Sequence, residues 1–196
     1  MKFGINCGHT VAGPGSGAVG IINESVETRE VGNALISLLR ANDHEVINCT
    51  IDRANSQNAY LKEAVNLANN KTLDYFISIH FNAGGGQGVE VYTYKGRQFT
   101  DALEVCANIS ALGFKNRGVK DGSGLYVVHK TKAKSMLIEC CFVDTEDANK
   151  YKQLGAQKLA EAIYNAIVDT NSVAPSPQPT PNPGQNKYAV WSKGAL

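Results

Sequence analysis

Two histidines and two glutamates, His9, Glu24, His80 and Glu139, are the residues of this chain best suited to chemistry. Two imidazoles and one carboxylate can hold a catalytic zinc ion and leave its fourth position to water. A further carboxylate is what such a site uses for proton transfer. These residue types therefore predict a zinc hydrolase, provided that the fold brings the four side chains together.

Short apolar runs mark the strands that must position these residues. Six runs are predicted to be strands: residues 2–7, 45–50, 73–79, 89–94, 125–128 and 136–142. The third and the last, LDYFISI and MLIECCF, are mostly apolar at successive positions. This pattern is typical of strands that are buried on both faces in the middle of a parallel sheet.

Apolar residues at helical spacing separate these runs. Three sets recur at the intervals of a helix face: Val31, Ala34, Leu35, Leu38 and Leu39; Ala102, Val105, Cys106 and Ile109; Leu154, Leu159, Ile163 and Ile167. Because strands and helices alternate, the predicted fold class is α/β, with a mostly parallel central sheet and helices on both faces. Functional sites of such folds lie outside the carboxyl ends of the strands.

The predicted elements place the candidate residues near one edge of the sheet. His9 follows the first strand, His80 follows the third, and Glu139 lies within the last. Glu24 comes after the glycine-rich loop 13–20 and begins a helix, so the loop can return it to the neighbourhood of His9. Each residue alone also has a structural explanation, such as a buried core histidine for His80 or a favourable helix-dipole position for Glu24.

Four segments contain these residues in order: INCGHT, GIINE, ISIHFNA and MLIECCF. Together they resemble the motifs of the zinc-dependent N-acetylmuramoyl-L-alanine amidases of type 3, which occur in bacterial autolysins and phage endolysins. The resemblance runs from about residue 1 to about residue 170. Two departures, the cysteine pair after Glu139 and the Val128-His129 pair, concern the pocket rather than the metal.

The resemblance implies a function and a role for each residue. His9, Glu24 and His80 would bind Zn²⁺, and Glu139 would be the catalytic residue. The substrate would be bacterial cell-wall peptidoglycan. The bond cut would be the amide between the lactyl group of N-acetylmuramic acid and L-alanine, and its hydrolysis would lyse the wall.

The expected chemistry follows from the residue types. Two neutral imidazoles and one ionised carboxylate leave a net positive site, which lowers the pKa of zinc-bound water towards ~7. Hydroxide is then available at neutral pH. Glu139 would take the proton of this water and pass it to the leaving amine.

Residues around the site are candidates for substrate contacts. Asn82 shares a side of the strand with His80 if the extended conformation continues, so it is a candidate substrate-binding residue; a turn-forming role is the alternative. Residues 12–23 and 83–88 are expected to form the walls of an open groove. Residues 116–123, which include one arginine, are expected to form a loop that is either solvated or in contact with stem-peptide carboxylates.

Dinucleotide binding is an alternative from another functional class. Residues 15–20 spell G-x-G-x-x-G after a strand. A phosphate-binding turn begins directly where the first strand stops, whereas here Gly15 is well separated from Cys7 and Pro14 precedes it. The motif is therefore weak in this position.

Two further alternatives use different chemistry or none. A cysteine hydrolase would pair Cys140 or Cys141 with His80 or His129. Nothing in the sequence supplies the positive environment that a reactive thiolate needs. A wall-binding module of the same fold without activity is the other alternative, and the complete set of four candidate residues argues against it.

The composition changes near the carboxyl-terminal end. Residues 173–187, VAPSPQPTPNPGQNK, hold five of the six prolines, which predicts a stiff and solvated linker. Residues 188–196 contain the only tryptophan and turn apolar again, as in the start or remnant of a cell-wall-binding module or in an unstructured end. We therefore predict a catalytic domain at 1–172, a linker at 173–187 and a separate segment at 188–196.

Charge and cysteine content argue against several classes of protein. Nineteen basic and eighteen acidic residues give a net charge of +1, so nucleic acid is not an expected partner. Five cysteines, an odd number, imply no disulfide framework. No run approaches the ~18 apolar residues of a membrane span, and the first residues do not form a signal peptide. We expect synthesis in the cytoplasm and action on the wall after release, as a phage endolysin in preference to a mother-cell autolysin.

Overall fold

Six strands form the central sheet in the computed structural model, which describes residues 1–168. They are β1 (Lys2–Cys7), β2 (Glu45–Asn48), β3 (Tyr75–Asn82), β4 (Val89–Thr93), β5 (Asn116–Asp121) and β6 (Lys134–Phe142). Their spatial order is β2-β1-β3-β6-β4-β5. β4 and β6 are antiparallel, and the other neighbours are parallel. The predicted mostly parallel sheet is confirmed.

Helices cover both faces of this sheet, as predicted. Within the described residues they are α1 (Glu24–Ala41), α2 (Gln57–Asn69), α3 (Thr100–Ala111), α4 (Tyr126–Lys130), α5 (Glu146–Leu154) and α6 (Ala156–Val168). Successive side chains of a strand point to opposite faces. The face that presents Ile77 and Ile138 packs against α1, α3 and α6, whereas the face that presents Phe76 and Leu137 packs against α2 and α4.

Helix α1 begins as the sequence indicates. The Asn23 side chain accepts a hydrogen bond from the backbone N–H of Ser25 at 3.1 Å, which satisfies one of the free donors of the first turn. Gly32 allows the helix to approach β1 closely, since a Cβ there would collide with the Cys7 sulfur. The buried stripe of the helix includes four aliphatic residues, Val31, Leu35, Ile36 and Leu39.

Two predicted elements are wrong. Residues 125–128, expected to form a strand, lie mostly in α4, and Val127 and Val128 pack in the same apolar cluster as Leu137. A short apolar run does not by itself distinguish a buried strand from a buried helix. Residues 116–123, expected to form a loop, contain β5. This strand lies at the sheet edge, where no second neighbour requires an apolar pattern.

Helix α2 is not predicted by the spacing of apolar residues. Four of its residues are buried, among them two alanines, so the apolar face is narrow: Tyr60, Ala64, Val65 and Ala68. The helix begins after Ser56, whose hydroxyl accepts from the Ala59 N–H at 3.2 Å. The predicted last helix is divided in two, because Gly155 adopts a φ of 79° between α5 and α6.

The predicted linker 173–187 and the segment 188–196 lie outside the described residues, and the predicted domain division stays a prediction. Among residues 1–168, no helix combines the length and the apolar character that crossing a membrane requires.

Deletion of residues 171–196 is expected to lower the melting temperature by less than about 2 °C, which corresponds to under ~1 kcal/mol. The reason is that apolar clusters within the described residues already cover both sheet faces. Leu159→Ala, which truncates a side chain with 0% exposure, is the control and should cost about 2–5 kcal/mol. A deletion as damaging as this control would mean that the tail packs on the domain.

Candidate metal centre

Three of the predicted site residues converge beside the carboxyl end of β1. His9 follows β1, Glu24 is the first residue of α1, and His80 lies within β3 rather than after it, because that strand continues to Asn82. The ligand atoms of the three side chains all lie within 4.8 Å of one another. Glu24 Oε1 is 3.0 Å from Nε2 of His9 and 3.2 Å from Nδ1 of His80.

The turn that carries His9 has an uncommon backbone conformation. The φ of His9 is 65°, in the left-handed region that few residues other than glycine adopt. Arg29 of α1 donates from Nη2 to the His9 carbonyl at 3.0 Å and from Nη1 to the Ser25 carbonyl at 2.7 Å. Its Nε donates to Asp52 at 2.9 Å. Arg29 therefore ties the turn that carries His9 to the start of α1.

The glycine-rich loop packs directly on the candidate ligands. A Cβ at Gly17, whose φ is 79°, would lie 2.9 Å from both Glu24 Oε2 and His9 Cγ. The loop therefore lies directly against the candidate ligands His9 and Glu24. Its G-x-G-x-x-G sequence does not open a helix as a phosphate-binding turn does, since α1 begins only at Glu24.

Hydrogen bonds determine which nitrogen each histidine turns towards the centre. His9 Nδ1 lies 3.0 Å from the Gly15 carbonyl, so it donates there and leaves Nε2 as the ligand atom. His80 Nε2 lies 3.1 Å from the Ser78 hydroxyl, which itself donates to Asn6 Oδ1 at 2.7 Å. Nε2 of His80 therefore donates, and Nδ1 remains as the ligand atom. Such hydrogen bonds orient metal-binding histidines.

Glu24 is only 3% exposed, and its carboxylate lies beside both imidazole rings. Oε1 also accepts from the Phe81 N–H at 3.1 Å, and Oε2 accepts from the Ala18 N–H at 2.9 Å. Burial acts to raise the pKa of Glu24, but the His80 and His9 rings beside its carboxylate outweigh it and hold the pKa well below its usual range. Burial lowers the pKa of His80 despite the adjacent Glu24 carboxylate. An ionised carboxylate and a neutral imidazole are the forms that bind metals.

The donor set suits zinc. Two imidazole nitrogens and one carboxylate oxygen are the protein ligands of many catalytic zinc sites, which keep a further position for water. The side chains of His9 and His80 are 13% and 12% exposed, so the centre can be reached from solvent. The three residues could therefore hold a zinc ion that remains accessible to substrate.

Glu139 lies next to His80 on the neighbouring strand. β6 pairs Glu139 with His80 of β3 on one side and with Glu90 of β4 on the other. Oε2 of Glu139 is buried and has no hydrogen-bond partner among residues 1–168. Burial raises the pKa of Glu139 well above its usual value, and the charges of Glu24 and Glu90 raise it further. Carboxyl groups perturbed in this way are candidates for proton transfer.

Glu90 is the centre of a second polar cluster that the sequence did not indicate. It is 2% exposed, and its Oε1 accepts from Asn82 Nδ2 at 2.9 Å and from the Tyr92 hydroxyl at 3.0 Å. Its Oε2 accepts from Arg117 Nε at 2.7 Å. A glutamate between two valines of a predicted strand is the signal that could have identified this cluster, because charged residues are rarely buried without partners.

Asn82 contacts this second cluster. Its Nδ2 donates to Glu90, and its Oδ1 accepts from the next backbone N–H at 2.9 Å, as in a turn-forming asparagine. Substrate binding by Asn82 stays a prediction. The glycine loop that follows is anchored by Asp144, whose Oδ2 accepts from the N–H groups of Gly84 and Gly85 at 2.8 and 3.1 Å.

The cysteine pair has the properties of core residues. Cys140 and Cys141 are both 0% exposed and belong to one apolar cluster. Between the His80–Glu139 pair and the Asn82–Phe142 pair, β6 has two residues where β3 has one. The two cysteines therefore lie at a bulge. Burial raises the pKa of both thiols, and nearby acidic groups add to the effect. The cysteine-hydrolase alternative is therefore not supported.

Comparison with known proteins identifies similar sequences over most of the chain. The family model for N-acetylmuramoyl-L-alanine amidase matches residues 4–169. The sporulation-specific N-acetylmuramoyl-L-alanine amidase of Bacillus subtilis is 34% identical over 176 residues, which cover 85% of this chain and 67% of that protein. An uncharacterised Clostridium perfringens protein is 35% identical over 176 residues and 85% of this chain. The chain spans 51% of the length of that relative.

Solved structures share the fold. The catalytic domain of the CD27L endolysin, which targets Clostridia difficile, aligns with a TM-score of 0.80 and 28% identity over 88% of this chain and 99% of that one. The catalytic domain of CwlV, an N-acetylmuramoyl-L-alanine amidase from Bacillus (Paenibacillus) polymyxa, aligns with a TM-score of 0.74 and 25% identity. This alignment covers 86% of this chain and 96% of the CwlV domain.

Ser78→Ala is expected to weaken zinc binding by about 10- to 100-fold, because it removes the hydroxyl that orients His80. The affinity can be measured by competition between the apoprotein and a chromophoric chelator. Ser37→Ala, at an exposed position of α1, is the matched control and should leave the affinity unchanged. Wild-type affinity in a folded Ser78→Ala variant would show that the hydroxyl does not support the site.

Proposed function

This chain belongs to the N-acetylmuramoyl-L-alanine amidase family, and from that membership we propose that it uses a zinc-activated water to cut peptidoglycan. The bond is the amide between N-acetylmuramic acid and L-alanine. The observation that carries the proposal is the convergence of His9, Glu24 and His80 within 4.8 Å, with Glu139 on the adjacent strand.

Each metal-binding residue has a defined part in this proposal. His9 Nε2, a Glu24 carboxylate oxygen and His80 Nδ1 would hold the ion. When bound, zinc supplies Lewis-acid polarisation of the carbonyl and a lowered pKa for water. The hydrogen bonds to the Gly15 carbonyl and to Ser78 keep the two imidazoles in the required tautomers and orientations.

Glu139 would carry the proton. The water oxygen adds to the lactyl carbonyl carbon, and Glu139 takes the proton that this water loses. Glu139 then gives the proton to the alanine nitrogen as the C–N bond breaks, which releases a free amine. Its position beside His80, its unpartnered Oε2 and its raised pKa support this role.

Glu90 is unsuited to proton transfer despite lying beside Glu139. Both of its oxygens accept hydrogen bonds from Asn82, Tyr92 and Arg117, so neither is available to a water molecule without breaking this network. The assignment of the acid–base role therefore favours Glu139 over the adjacent carboxylate.

Wall lysis is the proposed biological role, with peptidoglycan as the partner. Similarity to an endolysin catalytic domain supports release by a phage, and similarity to a sporulation-specific amidase supports action during sporulation. Both roles use the same bond cleavage, and of the two we propose the endolysin role.

His80→Ala is expected to reduce bound zinc from about one ion per chain to less than about a tenth, because a three-ligand site loses one of its ligands. Elemental analysis after dialysis against trace zinc measures the metal content. His129→Ala, which removes an exposed histidine on α4, is the control and should retain full zinc. Full occupancy in the His80→Ala variant would contradict the proposed ligand set.

Glu139→Gln is expected to retain zinc and wall binding while the rate of amide cleavage falls by about 10² to 10⁴, the usual cost of losing a general acid–base. The assay counts new amino groups on alanine and, separately, new reducing sugars from purified cell walls. Glu63→Gln, on the exposed side of α2, is the control and should cleave normally.

Three results would contradict the proposal in different ways. Near-normal amine release by Glu139→Gln would remove Glu139 from the mechanism. Wild-type protein that releases only reducing sugars would be a glycosidase. Wild-type protein that binds walls with zinc present but releases neither product would be a wall-binding module of this fold.

A further inference from the structure

A bulge in β5 directs Arg117 towards the candidate active site. The register between β4 and β5 shifts by one residue between Val89 and Val91. On β5 the shift falls at Arg117 and Gly118, and Gly118 adopts a φ of 75°. Bulges of this kind re-aim side chains and are common next to active sites. Here the Arg117 side chain reaches Glu90 on the neighbouring strand, at 2.7 Å from Nε.

The Arg117 guanidinium is held in place but keeps free donors. Its Nε donates to Glu90, and its central carbon lies 5.3 Å from the centroid of the Phe142 ring. Within residues 1–168, no protein acceptor contacts Nη1 or Nη2 of this side chain, which is 23% exposed. A guanidinium fixed through Nε presents its remaining N–H groups in a planar fork that matches a carboxylate.

The surroundings of Arg117 are rich in negative charge. Glu139 and Glu90 are paired across β6 and β4, and the charges of Glu24 and Glu90 both act on Glu139. An anionic substrate group would be repelled by these carboxylates unless a cation stood beside it. Arg117 supplies a cation at this point, because its Nε contacts Glu90.

The separation between His80 and Glu90, the partner of Arg117, fits a short peptide. His80, Glu139 and Glu90 are neighbours on three successive strands, so about 10 Å separate the first from the last. An extended peptide advances about 3.3–3.6 Å per residue, so the residue after alanine begins about 3.5 Å from the scissile nitrogen and ends about 7 Å from it. A charge-assisted hydrogen bond of about 2.8 Å spans the remainder.

We propose that Arg117 is a substrate-binding residue that pairs with a carboxylate on the stem-peptide residue following alanine, with Glu90 and Phe142 as the residues that position it. This inference rests on the proposed amidase function. It makes Arg117 a determinant of which stem peptides are cleaved, and it separates this role from the proton transfer assigned to Glu139.

The test uses two N-acetylmuramoyl peptides that differ only at the residue after alanine, which carries either a free carboxylate or a carboxamide. Wild-type protein loaded with zinc is expected to cleave the carboxylate form with a kcat/KM about tenfold higher, because a hydrogen bond to a charged group is stronger than one to a neutral group. Arg117→Met should abolish this preference, chiefly by raising KM for the carboxylate form. Arg97→Met, at an exposed position after β4, is the control and should keep the preference.

The outcomes distinguish this inference from the amidase proposal. If the Arg117→Met variant cleaves both peptides equally less well, or keeps the preference for the carboxylate form, the proposed Arg117 subsite is overturned and the amidase function stands. Wild-type protein that cleaves neither peptide nor cell walls would overturn the amidase function and the subsite together.

A second measurement uses wild-type protein alone and follows its preference for the carboxylate peptide as the salt concentration rises. The preference should shrink as salt screens the charge pair. A preference that does not change with salt would contradict the pairing.

Discussion

The Glu24 carboxylate, shared between His9 and His80, is the interaction on which the rest of the site depends. One oxygen lies 3.0 and 3.2 Å from the two imidazoles, and the side chain thereby joins the start of α1 to β1 and β3. A buried charge is tolerated only when donors surround it, since removal of its partners leaves an uncompensated charge that costs several kcal/mol. The Ala18 and Phe81 N–H groups supply two such donors.

The polar residues of the site share one face of the sheet. Alternation places Asn6, Ser78, His80, Glu139 and Glu90 on the face that also carries Phe76 and Leu137, while the opposite face is apolar and covered by α1, α3 and α6. The polar residues occupy the part of their face near the carboxyl ends of β1, β3 and β6. Alternation along the strands therefore places these five polar residues on a single face of the sheet.

Local backbone features make this arrangement specific. The left-handed conformation of His9 is maintained by Arg29, which bonds to its carbonyl. The bulge in β6 accommodates the cysteine pair, and the bulge in β5 turns Arg117 inward. The left-handed backbone of His9 is of a kind that persists only where the surrounding contacts determine it, and such backbone is commonly found at functional sites.

The sequence by itself determined the α/β class, the candidate ligands His9, Glu24 and His80, and the placement of Glu139 in a buried strand, because apolar periodicity and motif order are local properties of the chain. Only the tertiary structure decided that residues 126–130 form a helix and that residues 116–121 form a strand. It alone also joined Glu90 to Asn82, Tyr92 and Arg117. These features depend on pairing between strands distant in sequence and on bulges that shift register, which no local pattern records.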